Sequence, residues 1–221
     1  MSMPNKLIWI LLGDKLGDNA QVISLGELLK ENLSCTVESK QITYKKKYKG
    51  SNLKLQATLD SIIKNQSDSL NYDSPPDLII FTGRRAVPVA RWLQKKSLDE
   101  YGVRTKLVSI GKPRAPFFWF DLIISTRQYL LPRWLPNLIL NNFTLNRPDS
   151  CFDSRPKDEQ RLNPQSKLAI VLLGGERSGF KISPSVIEHI IQTLKQYQID
   201  QPNHQLTMVA SKSTPEKVLV D

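Results

Sequence analysis

The pattern of apolar and polar residues at the start of the chain predicts a strand, a tight turn and a helix. Six consecutive apolar residues occupy positions 7–12, and an unbroken run of this length is typical of a strand that is covered on both faces of a parallel sheet. After a polar turn, apolar residues recur at the spacing of three and four that marks one face of a helix. Asp18 is the expected cap of this helix, with Gln21 placed to reach back to it.

The same alternation of strands and helices continues along the chain. Further apolar runs predict strands at residues 36–42, 77–82, 106–110, 121–124, 167–173 and 205–210. Helical spacing follows at residues 55–63, 84–93 and 183–194, and the last of these segments has Ser183 as its cap and Pro184 at its first position. Prolines within residues 129–140 exclude a long helix there. The alternation predicts an α/β fold with a Rossmann-like, doubly wound parallel sheet.

A change of composition predicts two domains. Residues 147–166 are rich in prolines, charged residues and amides and poor in apolar residues, which is typical of a linker. The linker would separate an N-terminal Rossmann-like domain, residues 1–146, from a C-terminal domain, residues 167–221, that repeats the strand, glycine turn and helix. Because two strands and one helix cannot cover both faces of a parallel sheet, we expect the C-terminal domain to be incomplete. Either the chain is a fragment, or this unit docks on the first domain or on another subunit.

Several turns that follow predicted strands carry residue types that bind anions. Glycine lets the backbone approach a ligand, the N-terminus of a helix attracts negative charge, and arginine can bind two phosphate oxygens at once. The candidate residues are Gly13, Lys15, Gly17, Asn19, Gly83, Arg84, Arg85 and Arg114 in the first domain, and Gly174, Gly175, Arg177 and Ser178 in the second. The alternative interpretation is that the glycines only form tight turns and that the arginines are ordinary surface residues.

The net charge limits the kinds of molecule that the protein is expected to bind. A formal charge of +10 favours an anionic partner, which could be a nucleic acid, a phosphorylated small molecule or an anionic lipid surface. No recognisable nucleic-acid module accompanies the basic residues, so we do not expect a nucleic-acid partner. The two cysteines and two histidines form no metal-ligand spacing. No apolar stretch approaches the roughly 20 residues that a membrane-spanning helix needs. We therefore expect a soluble, cytoplasmic protein without a bound metal.

Two segments leave peripheral association with a membrane open. Lys45, Lys46, Lys47 and Lys49 lie in a segment without acidic residues, which is either a solvated loop or a patch that binds phosphates or lipid headgroups. The four aromatic residues at positions 117–120 are either part of the core or, if they are exposed, a patch for the membrane interface.

Four motifs, in order along most of the chain, resemble one known family. They occupy residues 13–21, 76–90, 113–122 and 173–180. On these motifs the chain resembles the ELM-type mitochondrial-fission family, named for elongated plant mitochondria, whose bacterial members are treated as glycosyltransferases of the two-domain GT-B fold. The family usually has a proline and a His-Asp pair after its fourth strand. This chain has Thr126, Arg127 and Gln128 at that place, and so it lacks an acid/base pair there.

The resemblance implies that the protein transfers a sugar from a nucleotide-sugar donor to an unknown acceptor, which could be associated with a membrane. In this hypothesis residues 174–178 hold the diphosphate of the donor, and the turns of the first domain hold the acceptor. Asp14 or Asp18 is the candidate general base, because transfer to a hydroxyl requires removal of its proton. No cofactor is expected. The alternative is a non-catalytic membrane-surface adaptor, the role suggested by the plant relatives.

Overall fold

A parallel sheet of six strands organises the first of the two units into which the chain divides, Met1–Asp149 and Ser150–Asp221. The computed structural model describes residues 5–45, 51–146, 167–175, 181–210 and Thr214. The strands of unit 1 are β1 (Lys6–Leu12), β2 (Cys35–Gln41), β3 (Leu78–Thr82), β4 (Lys106–Ile110), β5 (Leu122–Thr126) and β6 (Leu138–Asn141). Their order in the sheet is β2-β1-β3-β4-β5-β6, and all neighbours are parallel. The predicted α/β, Rossmann-like class is therefore confirmed.

Helices cover both faces of this sheet. The helices of unit 1 are α1 (Leu16–Asn32), the single turn α2 (Asn52–Leu55) and α3 (Ala86–Tyr101). Ile8 and Ile10 of β1 belong to a buried cluster with Val22 of α1. Trp9 and Leu11 belong to a second cluster that contains the buried residues of α3. Because successive side chains of a strand point to opposite faces, the unbroken apolar run of β1 is buried on both sides, as the sequence predicts.

The prediction of a helix over residues 55–63 is wrong. The helical turn α2 ends at Leu55, and Gln56 follows with a φ of 49°, in the left-handed region. Ile62 instead forms an isolated antiparallel bridge with Tyr44, and both side chains are buried in the cluster below α3. An irregular segment thus brings apolar residues to the core at a spacing that also suits a helix, and the spacing alone does not distinguish the two.

The predicted cap of α1 is also wrong. The helix begins at Leu16 with Lys15 at the capping position, and no side chain caps it. Asp18 lies inside the first turn, where a carboxylate still interacts favourably with the helix dipole. Gln21 donates a hydrogen bond to the Gly17 carbonyl and does not reach Asp18. The helix starts earlier than predicted because the chain has already turned at Gly13, through contacts described below.

Two predictions about the last strands of unit 1 have different outcomes. Residues 129–140 form no long helix, as predicted, because the chain passes through a 3₁₀ turn at Arg127–Tyr129 and then extends into β6. The strand β6 itself was not predicted, since its four residues are too short to give a clear apolar pattern.

The described residues of unit 2 form two parallel strands and one helix: β7 (Lys167–Leu173), α4 (Pro184–Asp200) and β8 (His204–Ala210). The predicted cap of α4 is confirmed, since Ser183 accepts a hydrogen bond from the Val186 N–H at 3.3 Å and Pro184 is the first helical residue. The prediction that β7 is a buried strand is wrong: Leu168, Ile170 and Leu172 are exposed on one face, and the residues of the other face are at most half-buried. The predicted linker lies outside the described residues.

Candidate anion site at the switch point of the sheet

The carboxyl ends of β1 and β3 lie side by side where the order of the strands reverses. The strand β1 pairs with β2 on one side and with β3 on the other, so the chain leaves these strands in opposite directions across the sheet. In open sheets of this kind, ligands bind in the crevice outside the carboxyl ends of the strands at this switch point. The turns at residues 13–15 and 83–85 therefore flank the position at which the fold favours a ligand.

The turn after β1 is held by the side chain of Asn19. The Gly13 N–H donates to Asn19 Oδ1 at 2.8 Å, and Asn19 Nδ2 donates back to the Gly13 carbonyl at 2.9 Å. Gln41 Nε2 donates to the same carbonyl at 3.1 Å. A Cβ atom at Gly13 would lie 3.2 Å from the ring of Tyr44, so this position has little room for a side chain. Asn19 thus shapes the turn, and its amide is already engaged.

An ion pair joins the two turns across the switch point. One terminal nitrogen of Arg85 lies 2.5 Å and 2.8 Å from the two carboxylate oxygens of Asp14. The hydrogen bond and charge of Arg85, together with the charge of Lys15, hold the pKa of Asp14 below its usual value, although partial burial acts in the opposite direction. The Arg85 guanidinium also lies over the ring of Tyr44, 4.8 Å from its centre. The structure therefore brings together two residues that the sequence proposed separately.

The second candidate base, Asp18, lies on the β3 side of the same site. A Cβ atom at Gly83, which has a φ of 81°, would be 3.9 Å from Asp18 Oδ2, so this carboxylate stands next to the turn after β3. Lys15 Nζ is 4.0 Å from the same oxygen. Gly17 lies in the first turn of α1, and a Cβ atom there would meet no described atom within 4 Å. The backbone beside Asp18 is thus open to a ligand.

A buried amide that the sequence analysis missed ties two arginine-bearing turns together. Asn52 is only 2% exposed, and its Nδ2 lies 3.1 Å from the Arg84 carbonyl and 3.3 Å from the Arg114 carbonyl. Arg114 has a φ of 53°, a left-handed conformation that costs a non-glycine residue about 1–2 kcal/mol. The amide of Asn52 stabilises that conformation and fixes the turn after β4 beside the turn after β3. Nothing in the local sequence distinguishes Asn52 from a solvated asparagine.

The glycine turn of unit 2 borders a largely apolar cavity of about 560 Å³. Gly174 and Gly175 lie at its edge, and the rest of its wall is formed by apolar side chains of β7, β8 and α4 and by Ile182 just before α4. Thr214 Oγ1 donates to the carbonyls of Leu173 and Gly174, at 3.1 Å and 3.2 Å. Two predicted donor-site residues, Arg177 and Ser178, lie outside the described residues.

The aromatic segment at 117–120 belongs to the core in part and to the surface in part. Phe120 is buried, and Phe117 and Trp119 are half-buried against the core. Arg91 lies over the Trp119 ring at 3.9 Å, and burial lowers the pKa of this arginine. Phe118 is 83% exposed. Of the four lysines predicted to face an anionic surface, Lys45 is exposed, whereas Lys46, Lys47 and Lys49 lie outside the described residues.

The described residues contain no group of three or more His, Cys, Asp or Glu side chains that could hold a metal ion. None of the helices that the structure describes combines the length and the apolar character needed to cross a membrane.

The fold and the site define an α/β protein with a Rossmann-like sheet and charged turns at its switch point. The chain belongs to the mitochondrial fission ELM1 family, whose model matches residues 17–221, and the family proposed from the four sequence motifs is thereby confirmed. The chain is also similar to an uncharacterized protein of Rickettsia prowazekii (strain Madrid E). The two are 31% identical in an alignment of 216 positions, and this alignment covers 81% of this chain and 57% of the relative. The chain thus spans little more than half the length of that relative.

Proposed function

We propose that the protein transfers a sugar from a nucleotide-sugar donor and works as a glycosyltransferase of the GT-B type. Unit 1 would bind the acceptor at its switch point, and unit 2 would bind the donor at its glycine turn. The observation that carries the proposal is the convergence of Asp14, Asp18 and Arg85 at the position where a doubly wound sheet binds ligands. A base and an anion-binding group are both needed there.

The proposed reaction uses these groups as follows. The acceptor hydroxyl gives its proton to a carboxylate, Asp14 or Asp18, and its oxygen forms the new bond to the anomeric carbon of the sugar. The bond from that carbon to the diphosphate breaks, and the nucleoside diphosphate leaves with the electron pair. Arginine side chains in the turns would hold anionic groups of the acceptor. The reaction needs no metal or cofactor in this scheme.

The donor side of the proposal rests on the turn between β7 and α4. Gly174 and Gly175 follow a strand and border a cavity, and glycine lets the backbone approach a diphosphate closely. Arg177 and Ser178 would add a guanidinium and a hydroxyl suited to phosphate oxygens. The apolar wall of the cavity would accept the flat face of a nucleobase.

Calorimetric titration with UDP-, GDP- and CMP-sugars tests this proposal. We expect the chain to bind at least one of them and Gly175→Glu to abolish that binding, because the new carboxylate repels the phosphate groups of the donor. Gln198→Glu is the matched control, since it adds the same charge at an exposed position of α4 away from the cavity. Absence of binding to all three classes, or equal binding by both variants, would contradict the proposal.

A second function, a non-catalytic adaptor on a membrane surface, is favoured by one observation. Phe118 is 83% exposed in a segment whose neighbours pack on the core, and exposed aromatic residues beside basic ones bind membrane interfaces. We expect the chain to float with vesicles that contain phosphatidylserine and Phe118→Ser to reduce the floated fraction severalfold. Phe143→Ser is the control, because Phe143 is equally exposed at 83%. No flotation, or the same loss in both variants, would exclude this function.

A further inference from the structure

We propose that Arg85 is a phosphate-binding residue that exchanges partners: the phosphate group of an incoming ligand replaces the carboxylate of Asp14. The inference deepens the proposed function, because it names a phosphorylated compound as the ligand of the switch-point site. It does not depend on sugar transfer, since the exchange involves only residues of unit 1.

The geometry of the ion pair favours an exchange. The Arg85 side chain is 27% exposed and the Asp14 side chain 60% exposed, so the pair is open to solvent on the Asp14 side. Contact with the Tyr44 ring holds the guanidinium in place, and Tyr44 itself is buried and bridged to Ile62. Asp14, by contrast, lies in a turn with a largely exposed side chain. The arginine is therefore the fixed member of the pair and the carboxylate the replaceable one.

The chemistry of the partner favours phosphate over the carboxylate. A carboxylate offers two oxygens and one negative charge, whereas a phosphate monoester offers three oxygens and a charge of about −1.5 to −2 near neutral pH. An exposed ion pair of this kind contributes at most about fivefold to an equilibrium constant. A phosphate that also meets neighbouring basic groups can therefore displace Asp14 at little cost.

Those neighbouring groups are available. Arg84 precedes Arg85 in the same turn, and the Asn52 amide fixes the backbone of Arg114 beside that of Arg84. Among the residues that the structure describes, neither Arg84 nor Arg114 takes part in an ion pair. Lys15, on the Gly13 turn, is largely exposed and only 4.0 Å from Asp18. The turns after β1, β3 and β4 therefore carry more basic residues than acidic ones.

The exchange makes an unusual prediction, that removing Asp14 improves binding. We expect Asp14→Asn to bind methyl phosphate and pyrophosphate about three- to fivefold more tightly than the unaltered chain, because the competing carboxylate is gone. Asp99→Asn is the matched control: it removes the same charge from another exposed ion pair, formed with Lys95 in the last turns of α3 and outside the site. We expect Asp99→Asn to change the affinity less than twofold.

A second pair of variants tests the arginine. Arg85→Gln should reduce phosphate affinity at least tenfold. Arg104→Gln is its control, because Arg104 forms a similar pair with Asp121 outside the opposite, amino-terminal ends of β4 and β5, and it should bind phosphate normally. ³¹P NMR titration at low salt measures all four variants, and circular dichroism confirms that each one is folded.

Two sources of the phosphate are separated by a parallel experiment. Vesicles of phosphatidylcholine with and without phosphatidic acid present the same group as a lipid headgroup. Tighter binding of Asp14→Asn to soluble phosphates alone identifies a free phosphorylated acceptor, and tighter binding to phosphatidic acid as well identifies a lipid-linked one. If Asp14→Asn binds neither probe more tightly than Asp99→Asn does, or if Arg85→Gln binds as well as Arg104→Gln, the exchange is refuted. Nucleotide sugars are absent from these titrations, so this result is independent of the donor experiment on unit 2.

Discussion

Replacing Asn52 by alanine is the perturbation whose effect follows most directly from the structure. Asn52 is 2% exposed, and its amide nitrogen lies 3.1 Å, 3.4 Å and 3.3 Å from the carbonyls of Arg84, Pro113 and Arg114. An NH₂ group has two hydrogens, so it makes one good hydrogen bond to Arg84 and shares a weaker one between the other two carbonyls. At about 1 kcal/mol for each bond, with the small cavity added, we expect Asn52→Ala to lower the free energy of unfolding by about 2–3 kcal/mol.

The assay can be restricted to unit 1. All four tryptophans of the chain, at positions 9, 92, 119 and 134, belong to Met1–Asp149, so tryptophan fluorescence during urea denaturation reports the unfolding of that unit. With a slope of about 1–3 kcal/mol per molar urea, the expected loss shifts the midpoint by roughly 0.7–3 M. Asn65→Ala is the control, because Asn65 is exposed and such changes usually stay within about 0.5 kcal/mol. A loss from Asn52→Ala no larger than that of the control would refute the role of the amide.

Two further predictions concern the turn after β1 and Asp77, which directly precedes β3 at the amino-terminal ends of the strands. Gly13→Ala should destabilise unit 1 by about 1 kcal/mol, because its Cβ atom would lie 3.2 Å from the buried Tyr44 ring; Gly17→Ala, whose Cβ atom meets no described atom, should stabilise it by about 0.5 kcal/mol in the same urea assay. The opposite order would contradict the packing described here. Burial opposes ionisation of Asp77, but its hydrogen bonds from Lys6 and the Leu7 N–H hold its pKa below the usual value. Asp77 therefore stabilises the fold above about pH 4, and this contribution is lost as the pH falls through its lowered pKa. The urea midpoint of Asp77→Asn should consequently fall less between about pH 5 and pH 3, the range in which carboxyl groups titrate, than that of the unaltered chain or of the exposed control Asp73→Asn. An equal fall in all three would exclude this role.

The buried strands could be predicted because each of them is a short run of apolar residues that is visible in the sequence without knowledge of distant contacts. The apolar run of β1 shows in the sequence that both faces of the strand are covered, and the glycines that follow β1 and β3 mark the turns that flank the candidate site. Periodicity reports which side chains are buried but not which backbone carries them. For this reason the irregular segment around Ile62 was predicted as a helix, although Ile62 reaches the core through a bridge to Tyr44.

The internal contacts of the site could not be predicted, because they join residues that are far apart in the chain. Asp14 and Arg85 are 71 positions apart, and Asn52 bonds to carbonyls 32 and 62 positions away. Each of these residues is consistent with an ordinary surface position when only its neighbours in sequence are considered. The fold supplies the missing information, since the switch point of the sheet brings the three turns together.

The central position of β1 also has a consequence for synthesis of the chain. The Leu7 N–H of β1 donates a hydrogen bond to the side chain of Asp77, 70 positions later. The strand β1 cannot pair with β3 until that part of the chain has been made. On the ribosome, β1 and β2 therefore emerge with apolar side chains and one unpaired edge exposed, a state that promotes aggregation. A nascent chain that pauses before β3 is made, or that is truncated there, would therefore depend on chaperones.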